Sequence, residues 1–218
     1  MTLQYVLFDL DDTLYPRDLI MPAIDENIKI FLMDILRITY DAAERKRVYY
    51  NKMYGTVLRG LLQEETVDAE KYLEFVHDVP VAEYLKPDPD LAGILAAIPL
   101  RKYIFTNSYR NHAENVMNAL GVGAYFEDVF DIVSVDYVSK PARYSYLTVV
   151  SKLQTTPEAC VYIDDKAVNL EEPRKMGMRT ILIDEEPNEW VDIMVKQVHD
   201  VGKAIDQFLS ESPTEMGM

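Results

Sequence analysis

Four short, nearly continuous apolar runs constrain the fold more than any other feature of this sequence. They cover residues 5–10, 101–106, 159–164 and 179–183, with a weaker fifth run at 129–133. Strands of a parallel sheet have this pattern, because helices cover both faces of such a sheet and neither face meets solvent. The runs therefore predict buried parallel strands.

Segments with helical spacing separate these runs. They cover residues 90–98, 109–120, 144–153 and 169–176. Gly121 and Gly177 follow two of the segments, at the position of a left-handed C-terminal cap, while Ser108 and Asp90 are predicted N-caps. Strands that alternate with helices predict an α/β fold with a Rossmann-like, doubly wound parallel sheet.

One interval of about seventy residues before Pro87 contains no convincing strand. Its periodicity predicts helices at 20–36, 42–62 and 70–77. We therefore expect an all-helical cap domain of residues 16–86, inserted into an α/β core of residues 1–15 and 87–210. A closing helix is predicted at 201–209 and a flexible tail at 211–218, whereas 190–195 is ambiguous and could be a short edge strand.

Length and charge exclude several classes of function. The 218 residues suit one large domain or a core with a small extra module. With 22 Lys and Arg against 37 Asp and Glu, the net charge of −15 repels nucleic-acid backbones and anionic membranes, so we expect neither as a partner. No secretory signal or long apolar span is readable, and the single Cys160 suits a reducing compartment, so a cytoplasmic location is expected.

Carboxylates follow two of the predicted strands where each leaves the sheet. Asp9, Asp11 and Asp12 end the first, and Asp164 and Asp165 end the fourth. Two like charges about 4 Å apart repel by about 4 kcal/mol at an effective dielectric constant near 20, so a cation is expected between them. Oxygen ligands without His or Cys favour Mg²⁺. The alternative is that these acids only cap helices or form turns.

Two further segments supply groups that suit a bound phosphate. The third strong run ends in Thr106 and Asn107, which offer a hydroxyl and, at the start of the next helix, backbone N–H groups. Lys140, held by a following proline, would add a fixed positive charge. Each feature alone also fits an ordinary helix cap or a solvated surface lysine. His77, His112 and His199 lack ligand spacing, and we expect structural or surface roles for them.

These segments in this order resemble the haloacid dehalogenase superfamily: Asp-x-Asp-x-Thr after a strand, then Thr-Asn-Ser, Lys-Pro and Asp-Asp. The resemblance covers about residues 3 to 185. It implies that Asp9 is the nucleophile and Asp11 the general acid and base, with Thr106 and Lys140 holding phosphate.

The same resemblance implies that Asp164 and Asp165 bind Mg²⁺ together with Asp9 and the backbone carbonyl of Asp11, with Asp165 the better direct ligand. Crowding by neighbouring acids is expected to keep a proton on Asp11 for the first step. Dehalogenases lack an acid at that position, so Asp11 favours a phosphatase.

A closer similarity is to the pyrimidine 5′-nucleotidase branch. It lies in the segments FDLDDTLYP (8–16), YGTVLRGL (54–61), VHDVPVAEYLKPDP (76–89) and FTNSYRNHA (105–113). This similarity implies hydrolysis of pyrimidine nucleoside 5′-monophosphates through an aspartyl phosphate. Candidate substrate-binding residues are Thr106, Asn107, Lys140, Tyr54 and Arg59, although the last two also suit an amphipathic helix pair.

Alternative substrates are sugar phosphates and pyridoxal phosphate. A different class of function, a noncatalytic phosphate-binding or phosphoaccepting regulator, also clusters Asp and Lys on a parallel sheet. The partner predicted for the chain is a small phosphorylated metabolite, and the assembly a monomer or small homo-oligomer.

Overall fold

A six-stranded parallel sheet forms the centre of the molecule in the computed structural model, which describes residues 2–16, 18–184, 186 and 188–211. The sheet has the order β3-β2-β1-β4-β5-β6, and every neighbouring pair is parallel. This is the order of a Rossmann-like, doubly wound sheet, which confirms the predicted fold class. The strands are β1 (Tyr5–Phe8), β2 (Arg101–Phe105), β3 (Asp128–Phe130), β4 (Cys160–Asp164), β5 (Arg179–Ile183) and β6 (Ile193–Val195).

The first strand, β1, lies in the middle of the sheet between β2 and β4. Every residue of β1 and of β4 is buried, as the apolar runs predicted. Tyr5 pairs with Arg101 on one side and with Cys160 on the other. Strand order reverses between β1 and β4, and ligands of such sheets bind at the carboxyl ends of the strands at that point.

Helices cover the sheet or form an insertion after β1. The secondary-structure elements of the insertion, residues 21–84, are all helices, joined by short connections. The helices are α1 (Met21–Leu36), α2 (Tyr40–Tyr54), α3 (Val57–Glu64), α4 (Ala69–Val76), α5 (Val81–Tyr84), α6 (Pro89–Ala97), α7 (Arg110–Leu120), α8 (Arg143–Lys152), α9 (Ala167–Met176) and α10 (Val201–Ser210). Single 3₁₀ turns occur at Gly123–Tyr125, Val133–Val135, Pro157–Ala159 and Val198–Asp200.

The single helix predicted over residues 42–62 is wrong, because the structure divides it into α2 and α3. Gly55 ends α2 with a φ of 85°, a left-handed value that glycine adopts without steric cost. Thr56 then begins α3, since its side chain accepts a hydrogen bond from the backbone N–H of Arg59 at 3.2 Å. The apolar periodicity continues across this break and so hides it.

The predicted C-terminal caps agree with the structure, whereas the predicted N-terminal caps do not. Gly121 and Gly177 cap α7 and α9 with φ values of 74° and 99°. The predicted N-caps are wrong. Asp88, not Asp90, caps α6 by accepting from Leu91 N at 2.9 Å, and Ser108 directs its hydroxyl elsewhere, as described below.

The C-terminal part forms the far edge of the sheet. Of the residues 190–195, only Ile193–Val195 form a strand, and β6 pairs with β5. The predicted tail lies outside the described residues from position 212 onward. In the part of the chain that is described, no helix combines the length and apolar character needed to cross a bilayer.

Candidate active site

The chain turns sharply where it leaves β1. The backbone N–H of Asp9 donates to Ile163 O at 2.9 Å, so the pairing of β1 with β4 extends to this residue. Asp12 has a φ of 66°, a left-handed conformation that Asp tolerates better than most residues. The strand therefore fixes Asp9, while the following residues bend away over the carboxyl edge of the sheet.

Three acids from the two central strands converge at this edge. Asp9, Asp164 and Asp165 each offer one carboxylate oxygen, and these atoms lie within 4.8 Å of one another. Asp9 is 6% exposed and Asp164 is completely buried. The predicted convergence of the two strand ends is thus present in the structure.

The two adjacent acids at the end of β4 have different surroundings. Asp164 is surrounded by donors: Lys140 Nζ at 3.1 Å, Tyr162 OH at 2.5 Å, Asn169 Nδ2 at 2.9 Å and Lys166 N at 2.8 Å. Its two oxygens are therefore occupied within the fold.

Asp165, in contrast, has a buried Oδ1 atom with no hydrogen-bond partner among the described residues. A buried acceptor without a partner is unfavourable unless an ion or water occupies the site. Burial raises the pKa of Asp165, and the neighbouring Asp164 and Asp12 raise it further. Asp165 therefore offers a buried oxygen that a bound cation would satisfy.

Lys140 is the buried cation of the cluster. Its Nζ atom donates to Asp9 Oδ1 at 2.6 Å, to Asp164 Oδ2 at 3.1 Å and to Phe105 O at 2.9 Å. The ammonium also lies over the rings of Phe105 and Tyr162, at 5.2 and 5.6 Å from their centroids. Burial alone would lower the pKa of Lys140, but Asp164 and Asp9 outweigh it and raise the pKa.

Asp9 responds differently to the same surroundings. Burial raises the pKa of Asp9, and although Lys140 opposes this effect, Asp164 and Asp165 reinforce it. One ammonium does not balance three carboxylates, two of which are buried, so the protein alone favours a proton on Asp9. A divalent cation would satisfy the same imbalance, and an all-oxygen donor set suits Mg²⁺.

The two residues that follow β2 support this arrangement. Thr106 is 1% exposed and accepts at Oγ1 from Ser108 N at 3.0 Å. Asn107 accepts at Oδ1 from Lys140 N at 2.8 Å and donates from Nδ2 to Lys140 O at 3.3 Å. The amide of Asn107 is therefore occupied in holding the Lys140 backbone, although both residues line the cavity described below.

Asp11 lies beside the cluster and is held by three donors. Ser108 Oγ donates to Oδ2 at 2.5 Å, His112 Nε2 donates to Oδ1 at 2.8 Å, and Tyr15 OH also donates to Oδ1. Sequence reasoning missed all three. Ser108 precedes α7 and His112 lies in its first turn, and their spacing alone does not report a contact with Asp11.

The protonation predicted for Asp11 is wrong. Burial would raise its pKa, but the electrostatic interaction with His112 and the hydrogen bonds from His112, Ser108 and Tyr15 outweigh burial and lower the pKa below its usual range. Asp11 is therefore ionised in this arrangement. It is the pKa of Asp9 that is raised, mainly by burial and further by the neighbouring Asp164 and Asp165.

A cavity of about 320 Å³ opens above the acids, between them and the helical insertion. Neither Tyr54 nor Arg59 lines it. Tyr54 OH donates to Glu64 at 2.8 Å, and Arg59 is exposed on another face of α3. The lining instead includes Arg47 from α2, whose guanidinium donates to Asp25 Oδ1 at 2.9 Å. The apolar residues of the lining are Met21, Ile24, Ile28, Val57, Leu58, Tyr72, Leu73, Val76 and Ile132.

A sequence model of the haloacid dehalogenase-like hydrolase family matches residues 3–177. This match covers most of the chain, and the chain belongs to that family. The parallel sheet with flanking helices is also the fold of the HAD-hydrolase YfnB from Bacillus subtilis, whose solved structure is bound to magnesium. That match has a TM-score of 0.62 and 16% identity, and covers 94% of this chain and 100% of that one.

Two curated proteins are similar to the chain in sequence. Phosphate metabolism protein 8 from Saccharomyces cerevisiae is 28% identical over an alignment of 193 residues, and the match covers 80% of this chain. The chain spans 60% of the length of that protein. Glyceraldehyde 3-phosphate phosphatase from Methanocaldococcus jannaschii is 23% identical, with 90% of this chain and 94% of that protein covered.

Proposed function

We propose that this protein is a Mg²⁺-dependent phosphatase that hydrolyses small phosphomonoesters through an aspartyl phosphate on Asp9. One observation carries the proposal: Asp9 contacts the buried Lys140 at 2.6 Å while it shares a cluster with Asp164 and Asp165. A carboxylate between the ammonium of Lys140 and a metal site suits nucleophilic attack on phosphorus. Lys140 and Mg²⁺ would both neutralise negative charge on the phosphoryl oxygens.

The reaction would proceed in two steps. An oxygen of Asp9 attacks phosphorus and the bond to the ester oxygen breaks, while Asp11 gives a proton to the leaving alkoxide. Asp11 then takes a proton from water, which attacks the phosphorus of the aspartyl phosphate and releases inorganic phosphate. The same residue thus acts as acid and then as base, and Asp9 returns to its starting state.

The lowered pKa of Asp11 favours its ionised form before substrate binds, so Asp11 must take up a proton from solvent before the first step. A phosphate dianion that enters the cavity adds negative charge beside Asp11, and a nearby like charge favours proton uptake by a carboxylate. The substrate would therefore create the acid that its own leaving group requires.

The acidic cluster fits Mg²⁺ by donor chemistry, and the buried Oδ1 of Asp165 supports this assignment. Asp9 and Asp165 would hold the ion directly, with the backbone carbonyl of Asp11, and Asp164 would act through water because its oxygens are occupied. When bound, the ion would supply positive charge to the phosphoryl oxygens. The magnesium bound to YfnB supports the choice of metal.

The remaining groups of the site suit phosphate. Thr106 and Lys140 both line the cavity next to Asp9 and would contact phosphoryl oxygens. Asn107 would contribute by fixing the Lys140 backbone. Asp11 argues against halide release, which needs no proton, and against a phosphoaccepting regulator, whose phosphoaspartate must persist.

The apolar lining of the cavity favours a leaving group with apolar surface over a fully hydroxylated one. A pyrimidine nucleoside offers a flat ring to such a wall, and the similarity to the pyrimidine 5′-nucleotidase branch supports the same class. We therefore propose pyrimidine nucleoside 5′-monophosphates as substrates, with Arg47 at the polar part of the lining. Sugar phosphates are the second candidate, because a relative of similar length is a glyceraldehyde 3-phosphate phosphatase.

A phosphate-release screen tests these proposals. Nucleoside monophosphates, sugar phosphates and pyridoxal phosphate are compared with Mg²⁺ and with a chelator, using Asp9→Asn as the matched inactive variant. We expect Mg²⁺-dependent release that is largest for pyrimidine nucleotides and absent in the variant. Equal rates on all esters would contradict the nucleotide assignment alone, while turnover by Asp9→Asn would contradict the mechanism.

A cytoplasmic location remains part of the proposal. Cys160 is the single cysteine of the chain and is buried, and its enclosed position raises the pKa of its thiol to about 12. An inert thiol of this kind is compatible with a reducing compartment.

A further inference from the structure

His112 is a buried residue to which the proposed reaction assigns no role. Its side chain is completely buried on α7 and does not line the cavity, yet its Nε2 atom lies 2.8 Å from Asp11 Oδ1. The residue is therefore behind the acid, on the side away from substrate.

The other ring nitrogen indicates that His112 does not serve packing alone. Its Nδ1 atom is buried without a hydrogen-bond partner among the described residues. A buried polar atom without a partner is unfavourable, and an apolar side chain of similar size would avoid this penalty. The polar ring at this position therefore indicates a role for the Nε2–H group of His112.

The donors divide the two oxygens of Asp11 between the protein interior and the cavity. Oδ1 accepts from His112 and from Tyr15, neither of which lines the cavity above the acids. Oδ2 accepts from Ser108, which does line that cavity. The substrate side of the carboxyl group is thus Oδ2.

The chemical difference between these donors matters when Asp11 carries a proton. A hydroxyl can rotate and become an acceptor, whereas the Nε2–H of His112 can only donate. With Oδ1 occupied by His112, a proton on Asp11 is directed to Oδ2, where the Ser108 hydroxyl can turn to accept or release it.

We propose that His112 is a positioning residue for Asp11, which holds Oδ1 toward the interior so that Oδ2 exchanges the proton with the leaving group and the attacking water. This inference rests on the proposed phosphatase function and adds a residue to it. His77 from the end of α4 packs its ring against His112, with centroids 5.0 Å apart, so the helical insertion encloses this contact.

The dependence of the rate on the leaving group tests the role. An alkyl phosphate needs a proton on its leaving oxygen, whereas 4-nitrophenolate leaves without one. Because kcat/KM reports the steps up to formation of the phosphoenzyme, it isolates the acid step. Both esters are measured with Mg²⁺ in the wild type and in two matched variants, His112→Gln and His112→Asn.

Gln places its amide near the former Nε2 atom and Asn near the former Nδ1 atom, so only Gln can donate to Asp11. For His112→Asn we expect kcat/KM to fall at least about tenfold on uridine monophosphate and to change less than about threefold on 4-nitrophenyl phosphate. For His112→Gln most of the loss should be recovered. His199→Gln is the control, since His199 pairs with Asp88 near the start of α6 and is 34% exposed in its side chain.

Equal losses on both esters, or no loss in His112→Asn, would overturn the positioning role while the phosphatase remains. A wild type that releases no Mg²⁺-dependent phosphate from either ester would overturn both. Melting temperatures of the variants identify any that fail to fold, and the Gln and Asn variants differ by one methylene only.

Discussion

The ammonium of Lys140 lies 2.6 Å from Asp9 and 3.1 Å from Asp164, so a single cation joins the ends of β1 and β4. The side chains of Lys140 and Asp164 are 1% and 0% exposed. Charges in such surroundings are screened weakly by solvent, and each depends on its partner to remain ionised. The position of Lys140 therefore matters for the stability of the fold as well as for chemistry.

Replacing Lys140 by Met should remove turnover and also destabilise the protein. The substitution leaves Asp9 and Asp164 buried without their cation, and breaking a buried pair in this way costs about 3–5 kcal/mol. Urea unfolding measures the loss, and added Mg²⁺ should recover part of it by occupying the same acids. Lys203→Met is the matched control, because that side chain is 88% exposed. An unchanged unfolding free energy in Lys140→Met would contradict the pairing.

Replacing Asp11 by Asn should lower kcat by at least about 10²-fold, as expected when a general acid and base is lost. The fold should tolerate the change, since the Asn oxygen can still accept from Ser108 or His112. Steady-state kinetics and a melting curve separate the two effects. Turnover near that of the wild type would contradict the acid and base role.

Binding of Mg²⁺ should release protons and become tighter as the pH rises. Burial raises the pKa of Asp9 and of Asp165 in the metal-free protein, so a proton competes with the ion between about pH 6 and 8. The affinity for Mg²⁺ must rise with pH, because a bound proton has to leave before the carboxylate can bind metal. The rise should be up to about tenfold per pH unit. Calorimetry in buffers of different ionisation enthalpy counts the protons. An affinity independent of pH in this range would contradict the site, and Asp206→Asn, on the exposed side of α10, should behave as the wild type.

Arg47 should affect substrate binding where Arg59 does not. Arg47 lines the cavity, whereas Arg59 is exposed outside it. We expect Arg47→Gln to raise KM about tenfold, the lower range for a lost hydrogen bond from a charged donor, with little change in kcat. Arg59→Gln is the matched control and should leave both constants within about twofold of the wild type. A larger rise in KM for Arg59→Gln than for Arg47→Gln would contradict this prediction and support Arg59 as a substrate-binding residue.

The packing of α2 against α3 depends on Gly60. A Cβ atom at this position would overlap the ring of Tyr50, which is completely buried. Gly60→Ala should therefore destabilise the protein by about 1–3 kcal/mol. Gly93→Ala is the control, because nothing lies within 4 Å of a Cβ atom there, and alanine should stabilise α6 by up to about 1 kcal/mol. Equal unfolding free energies for the two variants would contradict this packing.

The sequence contained enough information to predict the sheet and the acids at its carboxyl edge, because both follow from local patterns. Apolar runs mark buried strands, and parallel strands bring their ends to one edge. Asp9 and Asp165 therefore lie in one cluster although they are far apart in the chain.

The contacts between side chains of different segments could not be predicted in this way. His112 and Asp11 are 101 positions apart, and no spacing within either segment reports their contact. The same limit applies to the protonation of Asp11, whose pKa depends on that contact rather than on the crowding visible in the sequence. Tyr54 and Arg59 were candidates because they lie in a basic, tyrosine-rich stretch, but the orientation of α2 and α3 decides which side chains face the cavity.

The sheet order has a consequence for how the protein matures. Asp9 leaves the ribosome early, whereas Lys140, which is 131 positions further along the chain, and the acids of β4 are synthesised much later. A nascent chain that ends before β4 has β1 at an open edge, and Asp9, the proposed nucleophile, has no counterion. Catalytic competence should therefore arise in a single late event, when β4 docks beside β1, and prematurely terminated chains should be inert toward cellular phosphate esters.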